Sequence, residues 1–487
     1  MAKKICVIGA GLAGGIIASE LSKKHHDVTL LEYGAKKQPY DGDNEKWIYD
    51  KPKASFTRGI GLGGTSNFWH GGLTILDKID IDSNSLLFKN TKLPIKYSDL
   101  YDYYNKAIDL LKGTGVYSLM DIESCPDSAG NDFNINNDYF DYKGLVYPAS
   151  PFSSANAIAK AVKENGLSVI DDFNVKKINF SNHSHAVSVE GCNKTNGLNQ
   201  KINADIFIIC AGGLGSPKIL LESKQETSAL ADMPIGKYLI DHPTGFVFKA
   251  KLRNRMCLKN IFGQFGNGYR TQYGFKLKQD GLDLTDGLNH ILFLRPALTM
   301  KDPLIYDFLK RRLVGYKGKR IKITDILYLL RHPDLLFDAV NFKYGLFGTT
   351  EYISGLTFTE QLPDSHNRIE LAGNNKFSIK WKISSAECGS VEKFIKTFFN
   401  AHSDMFENFE IYPGIGNRLE SAGHHSGGCR MSFDSSTGVV DSDLKIFGVD
   451  NVFVSDGSVL GYSGHANTGL TISALALKCV DQVHSMI

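Results

Sequence analysis

The chain has 487 residues, 42% of them hydrophobic and 22% charged, with 55 Lys and Arg against 52 Asp and Glu. This is the composition of an ordinary globular protein with roughly two or three domains' worth of core, and a net charge of +3 excludes the strongly basic surface that nucleic-acid binding calls for. No apolar run approaches the roughly 20 residues of a membrane-spanning helix, and eight scattered cysteines without Cys-x-x-Cys spacing argue for reduced thiols in a cytoplasmic protein and against a metal site.

Residues 4–8 form a short apolar run that reads as a strand rather than the start of a secretory leader, because the nucleotide fingerprint is built onto it. Gly9, Gly11 and Gly14 follow at G-x-G-x-x-G spacing, with Leu12 and Ala13 inside the motif, and a helical segment runs to Leu21. Residues 27–31 read as a second strand, closed by Glu32. Strand, tight turn, helix and strand with a terminal acid make a dinucleotide-binding unit: backbone N–H groups at the helix start face a pyrophosphate and the acid accepts from an adenosine ribose. The motif alone leaves FAD and NAD both open.

Residues 58–72 read Arg-Gly-Ile-Gly-Leu-Gly-Gly-Thr-Ser-Asn-Phe-Trp-His-Gly-Gly. That glycine density next to three aromatic rings predicts a second wrap of backbone around a flat cofactor. The stretch 62–66 resembles the early glycine-rich loop of the glucose-methanol-choline (GMC) family of FAD oxidoreductases. The resemblance implies FAD as cofactor, with Gly63, Gly64, Thr65, Asn67, Phe68, Trp69 and His70 around it. Several members bond FAD covalently to a histidine of this loop; the corresponding position here is Phe68, which implies a non-covalent FAD with His70 lining its pocket.

Further along, 101–112 reads as a core-facing helix with Ser98 as N-cap, and 131–142 as an irregular loop, a candidate lid. A helix at 155–164, a strand at 167–170 and a buried strand at 203–213 return the chain to the nucleotide domain. The resemblance places Val175 at the adenine and Ala211 with Gly212 beside the ADP moiety. A helix is expected to begin at Ser216 with Pro217 in its first turn. Asp241 and His242, before Pro243, read as a structural pair at a chain reversal.

Between residues 251 and 382, strand-like pieces at 290–295 and 352–359 suit a sheet walling a substrate chamber. The stretch 303–347 is basic and amphipathic, with helices expected at 304–313 and 323–330. Its readings are a solvated face on packed helices, or a contact with an anionic membrane surface, a partner protein or a phosphorylated substrate. The 360–370 stretch resembles the family's "E-Q-x-P" segment, and 377–383 reads as a strand.

Residues 422–431, Ala-Gly-His-His-Ser-Gly-Gly-Cys-Arg-Met, resemble the family's "H-x-x-G-T-x-R-M", with Gly428 in place of Thr. Residues 464–472 resemble "N-P-x-x-T-I", with Thr468 in place of Pro. The resemblance makes His424 the active-site histidine and Asn467 its partner, with His425 and His465 as competing neighbours. It also places Asp456, Gly457, Asn467 and Thr468 at the cofactor. A base for the hydroxyl proton and a donor for the alkoxide are what oxidation of an alcohol by hydride transfer to flavin N5 requires. A helix at 471–484 points its N-terminus at the same place.

The expected fold is α/β: a Rossmann-like FAD-binding domain (1–76, 155–242 and 415–487) interleaved with an α+β substrate domain built on an antiparallel sheet (77–154 and 243–414). The expected activity is oxidation of an alcohol, with a sugar, polyol or amino-sugar favoured over a sterol. Flavoprotein lyase or isomerase chemistry on the same fold and a sterol oxidase-like enzyme are the alternatives, with a nicotinamide-dependent dehydrogenase as a third, weakened reading. Oxygen, a quinone and a protein remain open as electron acceptor.

Overall fold

The structure, a computed structural model, describes residues 3–35, 37–39, 45–49, 58–82, 93–113, 115–123, 139–256, 261, 268–297, 350–373, 376–462 and 464–487. The basic stretch 303–347 and most of the expected lid, 131–138, lie outside the described residues. In chain order the elements that build the site begin with β1 (Lys4–Ile8), α1 (Leu12–Lys23), β2 (Asp27–Leu31) and α2 (Tyr97–Leu111). Then come β3 (Phe140–Pro148), α3 (Ser154–Asn165), β4 (Ser168–Ile170), β5 (Ile206–Ile209), α4 (Gly212–Ser223) and β6 (Pro243–Met256). The series ends with β7 (Tyr269–Leu277), β8 (Ile291–Ala297), β9 (Thr350–Phe358), α5 (Ser385–Ala401), β10 (Phe406–Ile411), β11 (Val452–Val454) and α6 (Gly469–Ser485).

Five of these strands form a parallel sheet in the order β11-β5-β1-β2-β4, with Ile5 beside Ile206 and Val28. Ile5, Cys6, Val7 and Ile8 are all buried, as a parallel strand covered on both faces must be. Helices α1 and α6 pack together in this core, and α2 joins them through the Tyr104 hydroxyl, 2.8 Å from Thr471 Oγ1. Residues 77–154 are therefore divided: α2 packs into the nucleotide core, while β3 belongs to the second sheet.

That second sheet is antiparallel, in the order β10-β6-β9-β8-β7-β3, with Glu420–Ser421 added alongside β6. Its strands alternate. On β7, Tyr273, Phe275 and Leu277 enter an aromatic core with Phe140 of β3 and Phe394 and Phe398 of α5. Phe275 meets Phe398 at 5.2 Å and Tyr142 at 4.8 Å between ring centroids. Helix α5 is fixed at its start by a capping box between Ser384 and Glu387.

Several boundaries differ from expectation. Helix α2 starts at Tyr97, and Ser98 bonds Asp99 instead of capping, because the buried stripe already begins at Leu100. Helix α4 starts at Gly212, so Pro217 is its sixth residue and costs one bond in the second turn. Residues 140–142 belong to β3, since Phe140 and Tyr142 carry the period of the aromatic core. Helix α6 begins two residues before the expected 471.

Candidate active site

The C-terminal ends of β1 and β5 open onto a crevice, the ligand position of open parallel sheets. Gly9, at φ +103°, turns the chain there; a Cβ on it would stand 2.5 Å from Cys210 O. One on Gly14 would stand 1.8 Å from Gly9 O, so α1 sits directly on the turn. At Gly11 and Gly212, by contrast, a Cβ would meet no atom within 4 Å: these two glycines, at the starts of α1 and α4, border open space.

Three helices, α1, α4 and α6, begin at this crevice without a side-chain cap and without an acidic residue in the first turn. Helices α3 and α5 are capped by Ser153 and Ser384. Apart from Gly212 N, which the Asp456 carboxylate takes, these N-termini leave backbone N–H donors and positive dipole ends, which suit an anion such as a pyrophosphate. The residues present therefore fit a dinucleotide.

The loop at 58–72 closes over α1. Gly63 N donates to Ala10 O at 2.8 Å, and a Cβ on Gly64 would lie 2.9 Å from Gly11 Cα. Glu32 ties the two loops together, accepting from Ala10 N at 2.8 Å through Oε2 and from Gly34 N and Gly61 N at 3.0 and 2.9 Å through Oε1. Within the loop, the Thr65 hydroxyl accepts from Gly59 N and the Asn67 amide donates to Leu62 O and Gly64 O. The Phe68 ring covers Gly59, Trp69 packs on Gly469 at the start of α6, and His70 is exposed. Val175 lies in the strand Phe173–Phe180, whose first residue donates to Glu32 O.

Asp456 is buried, and its carboxylate accepts from Gly212 N at 2.8 Å, Ser216 Oγ at 2.5 Å and Ser458 N at 2.8 Å. Burial pushes this carboxyl above its ordinary range, against those bonds. It thus anchors the start of α4, where Ala211 N is held by Ser216 Oγ, to the turn containing Gly457.

The segment 424–428 is wedged beside that anchor. A Cβ on Gly213 would stand 2.1 Å from His425 O, and one on Gly457 2.8 Å from the same oxygen. Gly428 has φ +86° and a Cβ on it would stand 2.6 Å from Pro217 Cγ, so a threonine would be strained and crowded where this chain has glycine.

Asp241 organises the histidines. Its Oδ1 accepts from His242 N at 2.6 Å and His424 N at 3.0 Å, and its Oδ2 accepts from Ser421 and lies 3.6 Å from His425 Nε2. The His242 ring meets the His424 ring edge-on at 5.4 Å. Burial and the His424 charge push His242 down to about 4, opposed by Asp241. Burial also pushes His424 below its ordinary value, while Asp241 raises it and His425 lowers it. His424 Nδ1 is buried without a hydrogen-bond partner. His465 is buried as well, pushed down to about 3 by burial. Asn467 lies beside the glycine loop: a Cβ on Gly72 would lie 3.1 Å from Asn467 Nδ2.

The structure thus brings His424, His425, His242 and Asp241 together, and sets Asn467 and Thr468 at the start of α6. The pairing of Asp241 and His242 with His424 was missed in the sequence, although Asp-His-Pro was visible; only the fold shows what the reversal faces. Also missed was the alternation Arg270, Gln272, Gly274, Lys276 on β7, a period-2 polar face opposite Tyr273, Phe275 and Leu277. Among the described residues no group of three His, Cys, Asp or Glu side chains is arranged so that it could hold a metal ion, and no helix is long and apolar enough to cross a membrane.

Residues 4–258 match the family model described as FAD dependent oxidoreductase, and residues 363–476 the model described as GMC oxidoreductase. The chain is 26% identical over 223 residues to an uncharacterised protein of Methanocaldococcus jannaschii, covering 44% of this chain and 50% of that protein. It is 38% identical over 60 residues to a cholesterol oxidase of Acinetobacter baumannii, covering 12% and 11%. The chain thus spans half or less of the length of these relatives. Its fold is shared with formate oxidase at TM-score 0.64 and 14% identity, covering 100% of this chain and 99% of that one. Pyridoxine 4-oxidase from Mesorbium loti gives TM-score 0.58 and 15% identity, covering 99% of each chain.

Proposed function

Because the chain belongs to the FAD-dependent oxidoreductases, in their GMC branch, we propose that it oxidises the CH–OH group of an alcohol to a carbonyl, a sugar or polyol ahead of a sterol. The observation that carries this reading is the position of His424, its backbone held by Asp241, beside a crevice bordered by three helix starts. When bound, FAD would supply the acceptor for the two electrons that leave the carbon as hydride, with no covalent link possible at Phe68.

The chain's own residues supply the rest. The N-termini of α1 and α4 would hold the pyrophosphate, and Glu32, besides bracing the loops, would face the adenosine ribose. His424 takes the hydroxyl proton; its lowered proton affinity keeps it neutral, and hence basic, at pH 7. Asn467 donates its amide N–H to the oxygen as negative charge develops there. Asp241 holds the segment that carries His424, and the start of α6 favours negative charge in front of it.

The test is anaerobic addition of sugars, polyols and sterols to the flavin-loaded protein, followed by absorbance. Bleaching by one class supports the reading and names the class. Flavin bands that no alcohol bleaches argue for non-redox chemistry on the same scaffold.

A further inference from the structure

The face of the antiparallel sheet turned away from α5 looks into the site. Tyr147 and Leu145 of β3 stand beside Arg270 and Gln272 of β7 in register, so all four point to one side. That side is fixed by Gly72: a Cβ there would lie 3.1 Å from Tyr147 Cε1, 3.3 Å from Leu145 Cδ1 and 3.1 Å from Asn467 Nδ2. The neighbouring strand contributes to the same face. A Cβ on Gly274 would touch Ile291 and Phe293 of β8 at 2.6 and 2.8 Å, and Arg295 follows Phe293 by two residues.

This wall has two ends. At one, Lys143 and Lys276 are matched by Asp77, at 2.7 and 2.9 Å. At the other, the Arg270 guanidinium lies 4.8 Å over the Tyr147 ring and Arg295 6.0 Å over Phe293. Between them Gln272 is 0% exposed, and neither its amide nitrogen nor its amide oxygen has a hydrogen-bond partner. A buried amide left unsatisfied at both ends keeps its full desolvation cost unless a ligand completes it.

We propose that Arg270, Gln272 and Arg295 form the specificity wall of this site and recognise an anionic oxygen group, a carboxylate or a phosphate, carried by the alcohol substrate. The inference rests on the alcohol-oxidising reading and narrows it to sugar acids, hydroxy acids or phosphorylated polyols. A guanidinium pairs such an anion with two parallel N–H bonds, Gln272 Nε2 adds a donor, and Gln272 Oε1 accepts from a hydroxyl of the same molecule. Held there, the ligand reaches from the wall across Gly72 to Asn467.

The experiment measures binding to the oxidised, flavin-loaded protein by calorimetry, with gluconate and glycerol phosphate compared with glucitol and glycerol. Flavin bleaching is recorded separately. The wall predicts that at least one anion binds about tenfold or more tightly than its neutral counterpart, as a charge-assisted contact supplies. Which arm wins separates carboxylate from phosphate. Arg270→Gln and Gln272→Leu each abolish that preference while leaving FAD content unchanged. Neutral ligands binding as tightly as both anions, or a preference that survives both substitutions, overturns the proposal. Anion binding without bleaching by any alcohol leaves the wall standing and removes the alcohol-oxidising reading instead.

Discussion

On the parallel-sheet side of the site, Gly9, Gly14 and Gly64 bring main chain against main chain, and Gly11 and Gly212 border open space at uncapped helix starts. On the antiparallel side Tyr147 stands beside Gly72, and Arg270, Gln272 and Arg295 lie on its face of the sheet, long side chains on one pleat whose other pleat is packed with phenylalanine. Backbone donors recognise what every dinucleotide shares, so the first region has few solutions and writes them as glycines. Side chains recognise what distinguishes one substrate from another, and the second region has many solutions. The histidine segment 424–428 lies at the seam, held by Asp241 from one side and by Gly213 and Gly457 from the other.

The contrast is broken most severely at the seam. His424→Ala is expected to keep its FAD and to lose about 100- to 10,000-fold in turnover, the range for removal of a general base; steady-state rates at equal flavin content measure it. On the backbone side, Gly14→Ala pushes a methyl into Gly9 O and is expected to lower stability by about 1–3 kcal/mol and to shed FAD, read as melting temperature and flavin-to-protein ratio.

Smaller changes sharpen the comparison. Asp241→Asn removes a charge that raises His424, so the proton affinity of His424 falls further. The acid limb of kcat/KM then moves to lower pH, with a loss of about tenfold at the optimum. An acid limb that moves upward contradicts the assignment. Tyr104→Phe removes the hydroxyl that joins α2 to α6 and is expected to cost about 1 kcal/mol in denaturant unfolding with little change in KM.

What the sequence disclosed follows the same division. β1 and β2 were legible to the residue, because a buried parallel strand is a continuous apolar run and its turn needs glycine. The starts of α2 and α4 were not, since Ser98 and Pro217 carry start signals that tertiary contacts at Leu100 and Asp456 override. His424 and Asn467 were named from motifs at opposite ends of a 43-residue separation. Asp241 and His242 were set aside because no local pattern says what a chain reversal will face. Gln272 was passed over for a related reason: alternation shows that it leaves the aromatic core, but only the sheet's place beside Gly72 shows where it points.

The most direct measurement is the rate of flavin bleaching in a single anaerobic turnover, wild type against His424→Ala at matched FAD content, with an alcohol that bleaches the wild type. The account predicts bleaching in the wild type that weakens as pH falls below the ordinary histidine range, and bleaching at least about 100-fold slower in the variant. Equal rates in the two proteins would contradict it.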